Sequence, residues 1–135
     1  MKPKYALAFM DMACRFGETS EATRLKVGAL IVKDNAIISL GINGTPKGWH
    51  TNKCENSNNE TEWFVKHAEI QALNKLRNST ETAKGSSMFC SHACCMNCAI
   101  DIVDAGIVQF YYRDVYRCDK GLKYLRDNGV KVVKI

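Results

Sequence analysis

Tyr5, Phe9, Met12, Ala13 and Phe16 recur at helical spacing, which predicts an amphipathic helix over about residues 3–16, with Pro3 in its first turn and Gly17 past its end. The pattern then breaks into short apolar runs. Residues 27–32 and 36–40 flank Asp34-Asn35, a turn pair, and predict a hairpin. Both runs are too apolar for an exposed sheet face, so they are expected centrally, covered by helices on both sides. Glycines and Pro46 then mark residues 41–59 as a loop. Phe64, His67, Ile70, Leu73 and Leu76 restore the helical period, predicting a second helix that starts near Thr61 or Glu62 and stops before Asn78-Ser79-Thr80. A strand is expected over 88–91, a helix over 95–105 ended by Gly106, a strand over 107–112, a helix over 119–128 ended by Gly129, and a strand over 130–135. Alternating strands and helices need crossovers, so these last strands should run parallel with right-handed connections. The whole, residues 1–135, reads as one α/β domain.

Composition narrows the setting. A hydrophobic fraction of 46% suffices to bury a core without crosslinks. Seven cysteines, with no signal sequence and no apolar run able to span a bilayer, point to a reducing, cytoplasmic setting and no membrane partner. The thiols are then available for metal or core. The net charge of +5 gathers toward the end, at Arg113, Arg117, Lys120, Lys123, Arg126, Lys131 and Lys134. It suits phosphate-bearing ligands, or simply a solvated outer face.

The chemistry concentrates in two motifs. Cys95 and Cys98 stand i, i+3 at the start of a predicted helix, so both sulfurs can reach one ion, and the helix N-terminus helps keep them ionised. His67 supplies an imidazole. One histidine and two thiolates make a three-ligand set that leaves a tetrahedral zinc open to water, the mark of a catalytic site. Glu69 is a spare carboxylate. Residues two apart do not share a helix face, so His67 is expected to ligate while Glu69 reaches round to the water as a proton shuttle. The competing reading is a redox or structural knuckle built from Cys90, His92, Cys94, Cys95 and Cys98. His50 and Cys54 could form a second metal pair but are too few for a site. The Gly41–Gly48 loop leaves a buried strand where binding groups often lie, although Asn-Gly and Thr-Pro are also plain turn chemistry.

His67-Ala68-Glu69 followed by Cys95-Met96-Asn97-Cys98 resembles the H-x-E…P-C-x-x-C signature of the zinc nucleobase deaminases, with Cys94 in the proline position. Further matches are Thr23-Arg24-Leu25-Lys26-Val27-Gly28-Ala29, Gly41-Ile42-Asn43-Gly44-Thr45-Pro46, and Tyr112 with Tyr116. They extend the resemblance to the cytidine and deoxycytidylate deaminase family over nearly the whole chain. Ile42 stands where an aromatic residue is usual, and Ala93 where Ser or Thr is frequent. The resemblance implies a three-layer α/β/α fold with a mixed five-stranded sheet whose last two strands are parallel. It implies zinc-dependent hydrolysis of dCMP to dUMP and ammonia in dTTP-precursor metabolism, with Glu69 carrying protons and His67, Cys95 and Cys98 holding Zn²⁺. By the same resemblance Asn43, the Ala68 backbone, Tyr112 and Tyr116 contact the substrate, and Arg24 and Lys26 are candidates for its 5′-phosphate. Regulation by dCTP with Mg²⁺ (activating) and dTTP (inhibiting) is implied at Asn43, Gly44, Thr45, Lys47 and Gly48, in a homohexamer. Two alternatives remain open: a deaminase acting on tRNA or single-stranded nucleic acid, which would need an extended basic channel, and a zinc-knuckle nucleic-acid-binding module, which has no use for Glu69. The short chain and the Asn-Gly-Thr-Pro loop favour a mononucleotide, with no nucleic-acid partner.

Overall fold

A computed structural model describes all 135 residues. In chain order the elements are α1 (Pro3–Gly17), β1 (Gly28–Lys33), β2 (Ala36–Ile42), α2 (Ala68–Lys75) with a 3₁₀ turn Leu76–Asn78, β3 (Ser87–His92), α3 (Met96–Asp104), β4 (Gln109–Asp114), α4 (Lys120–Asp127) and β5 (Lys131–Lys134). They form one sheet ordered β2-β1-β3-β4-β5. Its first two pairings are antiparallel and its last two parallel, as the helical crossovers α3 and α4 require.

Alternation along the inner strands explains the layers. From β1, Leu30 and Val32 face α1, where they meet Phe9, Met10 and Ala13 together with Phe89 and Tyr111. Ala29 and Ile31 face the other way and join Met88, Cys90, Phe110 and Tyr112 beneath Ala68 and Ala72 of α2, Ala99 and Ile102 of α3, and Leu122 and Leu125 of α4. A strand covered on both faces reads as a continuous apolar run. The result is the three-layer α/β/α sandwich. Phe89 is central to the α1 side: it is fully buried, stacked on Tyr111 at 4.4 Å between ring centres and tilted against Phe9 at 5.5 Å.

Three expectations need correction. Only β1 of the hairpin is central; β2 is an edge strand, and Ala36 and Ile37 at its start are exposed. The fourth strand begins at Gln109, not at residue 107, because Ile107 packs into the core before pairing starts. The second helix begins at Ala68, well after Thr61. Between them the backbone is committed elsewhere: Thr61 bridges to Glu55, and Lys66 exchanges both hydrogen bonds with Gly44, at 2.8 and 3.0 Å. Phe64, which fits the helical period, packs edge-to-face with Trp63, and both lie against Trp49 instead.

Candidate active site

The amino ends of α2 and α3 converge beside the carboxyl end of β3. His67 is the N-cap of α2 with extended backbone (φ −72°, ψ 154°), and Glu69 lies in the first turn. Because His67 stands outside the helix, its ring and the Glu69 carboxyl can approach one space although they are two residues apart. Cys95 is the N-cap of α3 and its sulfur accepts the Cys98 N–H at 3.4 Å. Both helices thus aim their partial positive ends at the same spot.

His67 Nδ1 lies 3.2 Å from Cys98 Sγ and 3.5 Å from Cys95 Sγ. The three donor atoms all fall within 4.8 Å of one another. A tetrahedral zinc with bonds of about 2.3 Å to sulfur and about 2.0 Å to nitrogen has nitrogen–sulfur edges of roughly 3.6 Å, so the donor set fits that ion. Protonation points the same way. The Cys98 thiol and N–H, together with His67, hold Cys95 down to about 4, against the effect of its burial. Cys98 is pushed up because its proton bonds to Cys95 and because it is buried. A divalent cation would replace that proton and release the second thiolate. Glu69 is only 4% exposed, and burial pushes its carboxyl up, opposed by its own backbone N–H and by His67.

Cys94 is not part of this cluster. It is fully buried in the core, and burial together with Glu69 raises its thiol. His50 and Cys54 likewise join no group of three ligands. The loop that carries Cys94 and Cys95 rests on α4 at Gly121, where an added Cβ would overlap the Cys94 carbonyl oxygen and sit 2.8 Å from that of Cys95. Gly121→Ala is expected to destabilise the fold by about 1–3 kcal/mol and to loosen metal retention, read by thermal unfolding and zinc stoichiometry. A variant as stable and as metal-rich as its parent would contradict this contact.

A cavity of about 430 Å³ opens at the cluster, with His67, Glu69 and Cys95 in its lining. Of the expected substrate residues, Asn43, Ala68, Arg24 and Tyr116 line it. Lys26 and Tyr112 do not. Lys26 Nζ turns away to donate to Ser20 O at 2.8 Å, and Tyr112 is 7% exposed within the core. Asn43 does more structural work than its motif suggests, since its Oδ1 accepts the Val27 N–H at 2.9 Å and its Nδ2 donates to Leu25 O at 2.7 Å. Of the expected effector residues, Asn43, Gly44 and Thr45 line a separate cleft of about 240 Å³ with Glu21, Ile42, Asn52 and Gln71, while Lys47 and Gly48 are exposed outside it. Arg117, Glu55 and His92 also line the cavity, although no motif in the sequence marks them as cavity residues. Arg117 lay within the noted basic stretch, but nothing in that stretch singled it out. Ser91 Oγ accepts the Gly28 N–H at 3.1 Å and lies 2.9 Å from His92 Nδ1, a hydrogen bond that orients the ring.

The sequence profile described as the cytidine and deoxycytidylate deaminase zinc-binding region matches residues 3–113. The chain belongs to that family. Among curated relatives, the deoxycytidylate deaminase of Saccharomyces cerevisiae is 29% identical over 98% of this chain and 45% of its own length. The human deoxycytidylate deaminase is 34% identical over 82% of this chain and 63% of its own. The chain thus spans about half to two thirds of the length of these relatives. The crystal structure of dCMP deaminase from the cyanophage S-TIM5, in complex with dCMP and dUMP, superposes with a TM-score of 0.98 at 44% identity, covering 100% of this chain and 99% of that one. The five-stranded mixed sheet is therefore the family's fold, and the family is a zinc-binding one.

Proposed function

We propose that this chain, as a single catalytic domain, hydrolyses dCMP to dUMP and ammonia, supplying a precursor of dTTP. The observation that carries the reading is one cavity whose lining brings together His67, Cys95 and Glu69 and two arginines, Arg24 and Arg117. Neither arginine forms a salt bridge within the chain, so each guanidinium can still meet an anionic ligand. The similarity to a dCMP deaminase seen with dCMP and dUMP supports the choice of nucleotide.

His67, Cys95 and Cys98 would hold the zinc, which when bound supplies Lewis acidity that brings a water's pKa toward neutrality. Glu69 moves two protons in sequence. Its carboxylate first takes a proton from the attacking water and hands it to ring N3 as oxygen adds to C4. It then carries the C4 hydroxyl proton to the amino group, which leaves as ammonia while C4=O forms. Burial, by raising the carboxyl, lets Glu69 hold each proton between the two transfers. Val27, Val65 and Ala93 add apolar surface to the cavity wall beside these groups.

Regulation extends the same reading: dCTP with Mg²⁺ activates and dTTP inhibits a homohexamer through the 43–48 loop. The smaller cleft shares Asn43 with the substrate cavity, so a ligand there can bias the 25–27 segment through the two Asn43 hydrogen bonds. Ammonia release should be measured from dCMP, deoxycytidine, dCTP and an oligodeoxynucleotide, with and without added dCTP·Mg²⁺ or dTTP. Turnover is expected with dCMP far above the others, sigmoidal alone and hyperbolic with dCTP. Preference for the oligonucleotide would overturn the substrate reading; a hyperbolic dCMP curve indifferent to both triphosphates would overturn the regulation alone.

A further inference from the structure

Glu55 is a carboxylate only 5% exposed, lining the cavity from the loop that precedes His67. A buried charge is costly unless donors converge on it. Here the Thr23 N–H lies 3.1 Å from each carboxylate oxygen, the Thr23 hydroxyl donates at 3.0 Å and the Arg24 N–H at 3.3 Å. Burial raises the Glu55 carboxyl, but these donors and the charge of Arg24 outweigh it and hold the group ionised.

Glu55 pairs across a short hairpin with Thr61. That hairpin is closed by Glu62 N to Cys54 O and Asn56 N to Glu60 O, each 2.8 Å, and turned by Asn59 at φ 57°, a left-handed value that asparagine tolerates. Asn56 Oδ1 accepts both Asn58 N and Glu60 N. From this platform Glu55 grips the backbone at Thr23 and Arg24, while Thr61 Oγ1 accepts Arg24 Nη1 at 3.3 Å. Two residues opposite each other thus hold both ends of Arg24, its amide and its guanidinium. An arginine has many rotamers to lose on binding, and holding it in place beforehand removes that loss from the binding step.

We propose that Glu55, with Thr61 opposite it, is a positioning residue that presents Arg24 to the anionic 5′ group of a nucleoside monophosphate, and thereby sets selectivity for nucleotide over nucleoside. The inference rests on the dCMP reading above. Glu55 touches no reacting atom; it acts through Arg24.

Glu55→Gln keeps the shape but turns an N–H₂ toward donors, so the grip should fail on one side. The ratio of kcat/KM for dCMP over that for deoxycytidine is expected to fall about tenfold or more, carried by KM for dCMP. Arg24→Ala should lower the ratio comparably, and the double variant should lower it no further, because both changes remove one device. Amide exchange at Thr23 and Arg24 should accelerate about tenfold or more in Glu55→Gln. Should that variant fold poorly, Thr61→Val deletes only the acceptor of the guanidinium and is expected to raise KM for dCMP without altering that for deoxycytidine. Parallel losses on dCMP and deoxycytidine, independent effects of Glu55→Gln and Arg24→Ala, or unchanged amide exchange would each overturn the proposal while leaving the deaminase reading intact. A wild-type chain that neither binds nor deaminates dCMP overturns the deaminase reading and the selectivity claim together, and the exchange rates then judge the grip on Thr23 and Arg24 by itself.

Discussion

Glu69→Gln is expected to lower the deamination rate by a factor on the order of 10²–10⁴ while zinc content stays at the parent's level. The side chain is 4% exposed and the amide is its isostere, so the substitution changes proton chemistry with little change in packing. Its carboxylate is also absent from the cluster of three donor atoms within 4.8 Å, which is why metal should be retained. An amide neither accepts a proton from water nor carries one to N3, so both transfers fail together. Zinc by atomic emission and ammonia release on the same preparation decide the matter. Loss of zinc in step with activity would make Glu69 a ligand and end its assignment as proton carrier.

Cys95→Ser and Cys98→Ser are expected to lose nearly all bound zinc, and with it all turnover. Cys94→Ser, next door, should keep both. The three sulfurs are separated by what surrounds them: Cys95 is ionised by two donors from Cys98 and one from His67, and Cys98 holds the proton a metal would displace, whereas Cys94 sits at 0% exposure among apolar side chains. Placing a hydroxyl there should cost about 1–3 kcal/mol through burial of a polar group, so Cys94→Ser should melt earlier yet bind zinc in full. That contrast distinguishes metal loss from loss of packing. A zinc-free but well-folded Cys94→Ser protein would show that the i, i+3 spacing misassigns the ligands.

The sandwich was legible because its signals are local. The helical period of α1, the continuous apolar run of β1 and the Gly106 and Gly129 stops all reflect what a residue's immediate neighbours demand of the backbone. The thiol pair was legible for the same reason, since i, i+3 thiols at a helix start converge whatever the rest of the chain does, whereas His67 reaches them only through the packing of α2 beside α3. The start of α2 was misread because Phe64 satisfies the helical period while packing on Trp49 from outside any helix. Edge and centre strands were confused because apolar content alone does not tell which neighbour a strand will find.

The amino-acid sequence by itself determined the kind of elements, their order, the parallel second half, and which histidine and two cysteines meet in one cluster. Only the tertiary structure decided which distant charges face the site. It turned Lys26 and Tyr112 away, brought Arg117 and Glu55 to the same cavity as Arg24, and spent the Asn43 amide on the 25–27 backbone. The physical reason is that short-range spacing fixes directions within one turn or one pleat, whereas a long, flexible side chain goes where buried acceptors and unpaired donors from other elements leave it room.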